Sequence, residues 1–138
     1  MTRTKRILGT VAIGCLMVAL PACGAGQQKT KNDIMQVSLG YLNFVSTNKK
    51  PPASEKEFSA KANPEEVAAL GKLQSQGYKV YWGVDPGKTS GGAGNTVLIY
   101  PGDAATKGGM VGMADGSVRS MTADEFNKAA KPTPPVPK

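Results

Sequence analysis

The stretch GGMVGMADGSVRSMT, residues 108–122, decides the fold. Asp115-Gly116 sits between two short runs of alternating residues, a strong local signal for a β-hairpin. Read as a two-residue type I′ turn, it sets Met113 opposite Val118, Gly112 opposite Arg119 and Val111 opposite Ser120. Val111, Met113 and Val118 then share the buried face, and Arg119 points to the other. A one-residue slip would turn Arg119 onto the apolar side. In this reading Asp115 and Gly116 are turn formers, not reagents. The next residues, MTADEF, start a helix at once. Thr122 and Glu125 form a capping box, and Met121 and Phe126 a hydrophobic staple. The expected helix covers about 123–130 and stops before Pro132.

Upstream, the pattern alternates again. YKVYWGV, residues 78–84, places Tyr78, Val80, Trp82 and Val84 on one face, with Lys79 and Tyr81 on the other. Trp82 is thus expected in the core and Tyr81 exposed. NTVLIYP, residues 95–101, is a second strand, with Val97 and Ile99 on one face and Leu98 and Tyr100 on the other. The intervening DPGKTSGGAG reads as a hairpin loop. Its Gly87-Lys88-Thr89 is no phosphate loop, because Trp82 stands where the first glycine is required and no helix follows.

Before the strands the period is helical. In residues 32–47, Ile34, Val37, Tyr41, Leu42 and Val45 fall on one side, with Met35, Leu39 and Phe44 at its edges. Ser54 and Glu57 can cap one short turn that buries Phe58. Asn63-Pro64-Glu65-Glu66 marks a helix start, and Gly77 suits the position just after its end, giving a helix over about 64–76. The expected architecture is α+β: one or two N-terminal helices on an antiparallel sheet of about four strands, then a short C-terminal helix. Residues 32–130 form this one domain, and 131–138, KPTPPVPK, a proline-rich tail.

The first residues are an address. TRTKR is basic, and residues 7–20 are apolar without a charge. That run of about 14 residues fits a signal peptide and falls short of the roughly 20 residues of a spanning helix. It ends in Leu20-Pro21-Ala22-Cys23, which resembles the lipobox of bacterial lipoproteins. The resemblance implies diacylglyceryl transfer to the Cys23 thiol, cleavage between Ala22 and Cys23, and acylation of the new amine. An ordinary secretory signal would instead leave Cys23 a free thiol in an oxidising compartment, where such a thiol is reactive. Residues 1–22 are then the cleaved leader and 23–31 a lipidated tether, whose eight residues from Gly24 reach at most about 28 Å when extended. Gly24 is not the aspartate that retains some lipoproteins at the inner membrane, which favours the outer membrane as the site of attachment.

Composition narrows the function classes. The chain has no histidine, and its other cysteine, Cys15, leaves with the leader. Neither an internal disulfide nor a nucleophile paired with a histidine base is then available. Asp85, Asp103 and Asp115 each lie beside Gly or Pro and read as turn residues. No catalytic residue, cofactor or metal ligand is expected. The formal charge of +7 includes Arg3, Lys5 and Arg6 of the leader. What remains is mildly basic with scattered lysines, not a nucleic-acid footprint.

The order of helix, PPAS, strands and ADGSVRSMTADEF also resembles small exported bacterial proteins of planctomycete type with pseudopilin-like domains, relatives of the type II secretion pseudopilin. The matching residues are Pro51, Pro52 and Ser54, then Ala114 to Val118 with Thr122, Glu125 and Phe126. The resemblance implies the fold and no catalytic residue. The chain departs from it in having a lipobox instead of a prepilin leader with a long apolar helix. Together these features imply a non-enzymatic, membrane-anchored envelope lipoprotein with a structural or interaction role. Other readings are an envelope module that binds polysaccharide or peptide, with the strand aromatics as its platform, or an accessory of a secretion or pilus system.

Overall fold

The computed structural model describes residues 24–132. Its elements are α1 (Gly24–Asn48), α2 (Glu55–Ser59), α3 (Pro64–Ser75), β1 (Tyr78–Val80), β2 (Val97–Pro101), α4 (Ala104–Lys107), β3 (Gly109–Met113), β4 (Val118–Met121) and α5 (Ala123–Lys128). The fold is α+β. The four strands form an antiparallel meander in the order β1-β2-β3-β4. Helices α1 and α3 cover one face of the sheet, and α4 and α5 the other.

α1 is longer than its apolar pattern predicts. It includes residues 24–31, the segment read above as a tether. The Thr30 hydroxyl bonds the Gly26 carbonyl one turn back and Gln76 beyond the end of α3, which pins this polar turn to the domain. Its buried side carries Ile34, Val37, Tyr41 and Phe44. Gly40 is buried too, against the Glu66 side chain, where α3 crosses closely. The Met35–Leu39 flank remains bare, with Met35 40% and Leu39 52% exposed.

The close contact between α1 and the sheet is at Gly112. A methyl there would lie 2.7 Å from Ile34 Cγ2 and 3.2 Å from both Ile99 Cβ and Ser38 Oγ. Ser38 is fully buried at this crossing, and its hydroxyl has no hydrogen-bond partner. An unpaired buried hydroxyl costs free energy that a methyl does not. Ser38→Ala is therefore expected to stabilise the domain by about 1 kcal/mol in urea unfolding.

Tyr41 ties α1 to the β1–β2 connection. Its hydroxyl donates to the Val84 carbonyl at 2.9 Å and accepts from the Val84 N–H at 2.8 Å. Burial, the larger effect, pushes its pKa well up. Trp82 packs its ring 6.2 Å from that of Tyr41 and 5.7 Å from that of Phe58. β1 ends at Val80, before Trp82, and Gly83 donates to the Pro52 carbonyl instead of to a strand.

β2 departs from simple alternation. Val97 is opposite Met113 while Ile99 is opposite Gly112, so the chain gains one residue at Leu98. This bulge turns Val97 and Ile99 to opposite faces, contrary to the strict period of two. Val97 joins Ala104, Val111, Met113 and Phe126 under α5, whereas Leu98 and Ile99 join the core beneath α1 and α3.

The capping signals hold. Glu66 accepts from the Asn63 N–H at 2.9 Å, and Thr122 and Glu125 exchange both bonds of a capping box. Ser54 caps α2 through the Glu57 N–H, while Glu57 reaches one residue further back, to the Ala53 N–H. Phe58 and Phe126 are buried as expected, and Met121 packs on the Phe126 cluster.

Candidate functional site

The Asp115-Gly116 hairpin forms with a different turn. Gly116 N–H donates to the Met113 carbonyl, Met113 N–H to the Ser117 carbonyl, and of the turn residues only Gly116 has positive φ, at 87°. This is a type I turn closed by a glycine bulge, one residue longer than a type I′ turn. The register moves accordingly: Gly112 faces Val118, Val111 faces Arg119, and Met110 faces Ser120. Val118 therefore belongs to the α1 face, and Arg119 shares the α5 face with Val111 and Met113. The slip is tolerated because β4 is an edge strand, where Arg119 reaches solvent past the end of the α5 cover.

Asp115 serves this loop. Its Oδ1 accepts from the Ser117 hydroxyl at 2.6 Å and the Ser117 N–H at 2.9 Å. These bonds, and more weakly Arg119, hold its carboxyl below the usual range. Glu125 is lowered by the Thr122 N–H and hydroxyl, and Glu57 by the Ala53 N–H and then by Lys50. All three have folded pKa values below the unfolded ones, so their stabilisation is complete above roughly pH 4 to 4.5 and disappears as pH falls through the folded values. Unfolding midpoints are expected to drop below that pH, and Asp115→Asn to flatten the drop.

Asp85 caps a 3₁₀ turn by accepting from the Gly87 N–H and pairs with Lys88 at 3.2 Å. Gly87-Lys88-Thr89 is thus an ordinary turn. Asp103 precedes α4 and pairs with Lys107 at 3.2 Å. The three aspartates lie in separate turns, each engaged locally.

The strand aromatics do not form an exposed platform. Tyr81 stacks on Tyr100 at 4.9 Å, and Tyr100 lies 5.5 Å from buried Phe126. Tyr81 is half-buried, not exposed. Burial, and next the Tyr100 hydroxyl, push its phenol up to about 12. Trp82 is half-buried against Tyr41 and Phe58.

Between α1 and α3 lies a polar cleft of about 360 Å³, with Asn43, Thr47, Asn48, Lys61 and Glu66 in its walls. Much of its polar capacity is already spent. Lys61 donates to Asn48 Oδ1 and lies over the Phe44 ring, while Asn48 donates to the Phe44 carbonyl. Among the described residues, no group of three or more His, Cys, Asp or Glu is placed to hold a metal ion, and no helix is long and apolar enough to cross a membrane.

The free surface with a distinct shape is the outer edge of β4. Met35, Leu39 and half-buried Leu42 run along α1 on the side away from α3. A methyl on Gly116 would come 3.2 Å from Leu42 and 4.0 Å from Leu39, which places this stripe beside the β3–β4 hairpin. On the opposite face Arg119, Met113, Met121, Glu125 and Lys128 line a hollow. Sequence reasoning left Met35 and Leu39 at the margin of the buried arc. Ala22 and Cys23, the expected cleavage and lipidation residues, lie outside the described residues. Comparison with protein-family models, curated proteins and solved structures finds no match.

Proposed function

We propose that the protein is an envelope lipoprotein, held to the membrane through Cys23, that acts by contact and not by catalysis. The observation that carries this reading is Leu20-Pro21-Ala22-Cys23 after a basic and apolar leader. The helical state of residues 24–31 supports a close attachment. As helix, residues 24–31 advance about 12 Å, less than half their extended reach. The folded module then stands at the bilayer on a stiff base. Two or three acyl chains suffice for stable anchoring, since each buried methylene contributes about 0.8 kcal/mol. Gly24 favours the outer membrane. The succession of a long first helix, a meander and a short capped last helix supports a pseudopilin-like module, with a secretion or pilus accessory as one form of the contact role.

Cys23→Ala tests the anchor. The variant is expected to leave the membrane fraction for the soluble envelope fraction with its fold intact. Retention in the membrane would overturn the anchor.

A further inference from the structure

We propose that the β4 edge and the Met35–Leu39–Leu42 stripe together form a docking groove for an extended peptide of alternating apolar and acidic residues. The partner segment adds as a fifth strand beside β4. The inference rests on the reading of the chain as a contact module, and not on the anchor at Cys23.

The first support is the backbone. β4 is the end strand of the sheet. In an antiparallel ladder, alternate residues turn their N–H and C=O groups to the same neighbour. Met113 N–H bonds the Ser117 carbonyl, and the pairing of Val111 with Arg119 and of Gly109 with Met121 continues that phase. Arg119 and Met121 therefore bond to β3, while Val118 and Ser120 turn their backbone groups outward. Natural edges are often blocked by lysine or proline. β4 is Val-Arg-Ser-Met: it has neither, and its one charge, Arg119, lies on the α5 face with its backbone bonded to β3. The other edge, β1, is three residues long and carries Lys79.

The second support is that each face beside this edge offers a different chemistry. On the α1 side, the hairpin end of β4 lies by the apolar stripe, where Met35 is 40% and Leu39 52% exposed, while Ser120 lines a hollow with Gly26, Gln27, Thr30 and Met110. On the α5 side, Arg119 and Lys128 line the hollow with Met113 and Met121. Glu125 is also there, ionised and held through its Oε2 by the Thr122 N–H at 2.7 Å in the helix cap, and Arg119 also acts on Asp115 of the turn. The ion pairs of the described residues are Lys50–Glu57, Lys88–Asp85 and Lys107–Asp103, so neither Arg119 nor Lys128 is in one. A strand presents successive side chains to opposite faces. A docked strand thus meets apolar surface at one residue and, at the next, a hollow in which two cations stand with one carboxylate. Backbone bonds supply affinity, and the alternation supplies selectivity.

The test uses the full-length chain in detergent and two capped octapeptides, one alternating valine and glutamate, the other valine and lysine. Amide and methyl NMR shifts are followed on titration. The valine–glutamate peptide is expected to shift the amides of Val118 and Ser120 and the Met35 methyl, and to bind more tightly than the valine–lysine peptide. Leu39→Gln, at an exposed position, is expected to weaken it about tenfold. Arg119→Glu is expected to reverse the preference between the two peptides. Shifts centred elsewhere, no binding of either peptide, or an unchanged preference in Arg119→Glu would overturn the proposal. So would shifts of the same residues on raising protein concentration without peptide, because a second copy would then be the occupant. Anchoring is read separately from the Cys23→Ala fractionation, so the two ideas fail independently.

Discussion

Tyr41→Phe is expected to destabilise the domain by about 3 kcal/mol, although it removes a single oxygen. That oxygen is both donor and acceptor to Val84, at 2.9 and 2.8 Å, in a buried site. Removing it leaves one N–H and one C=O without their partner, and each unpaired buried group costs about 1–3 kcal/mol. Phenylalanine keeps the ring and its packing on Trp82, so the loss isolates the hydrogen bonds. Urea unfolding followed by Trp82 fluorescence measures it. Loss of near-native stability by less than about 0.5 kcal/mol would mean that water or local movement replaces the hydroxyl.

Gly112→Val is expected to cost at least as much, about 3 kcal/mol or more. The new Cβ would fall 2.7 Å from Ile34 Cγ2, in a layer where Ile99 and Ser38 also close in at 3.2 Å. Relief requires α1 to lift from β3, which opens the Ile34–Val37–Tyr41 side of the core. Gly112→Ala should cost less, since Ile34 can yield to one methyl by a rotamer change. Ile34→Ala removes Cγ2, so Gly112→Ala combined with Ile34→Ala is expected to cost less than the sum of the two single losses in the same unfolding assay. Additivity of the two substitutions would show that they do not share this contact.

These two contacts explain what the sequence could and could not announce. Helix starts were legible because their chemistry is local. Asn63-Pro64-Glu66 and Thr122-Glu125 carry their own hydrogen-bond partners within three residues. Phe58 followed from the Ser54–Glu57 cap and Phe126 from the Thr122–Glu125 cap. The turn at Asp115-Gly116 was legible as a turn but not as a type. A glycine in the left-handed region suits both a type I′ turn and a type I turn with a glycine bulge. The choice between them moved the register by one residue, and with it Val118 and Arg119. The Leu98 bulge had no local mark either, because VLIYP has no alternation of polar with apolar residues and nearly every residue of β2 is buried.

The candidate surface was harder still to read. Periodicity put Met35, Leu39 and Phe44 alike at the margins of the α1 arc. α3 then packs on the Gly40–Phe44 flank and leaves the Met35–Leu39 flank bare. That outcome depends on where a second helix crosses, which one helix cannot encode by itself. The N-terminal turns of α1 were missed for the same reason. GAGQQKTK has no apolar stripe, and its Thr30–Gln76 contact joins residues 46 positions apart. The Tyr81–Tyr100–Phe126 stack was missed because the bulge and α5 close over residues that alternation alone leaves outside.

The anchor is tested most directly by mass spectrometry of the N-terminal peptide from protein extracted from membranes. The expected peptide begins at Cys23 and carries a diacylglyceryl thioether, with or without an amide-linked acyl chain. A peptide that retains residues 1–22, or a mature N-terminus at which Cys23 is a free thiol, would contradict the lipoprotein reading.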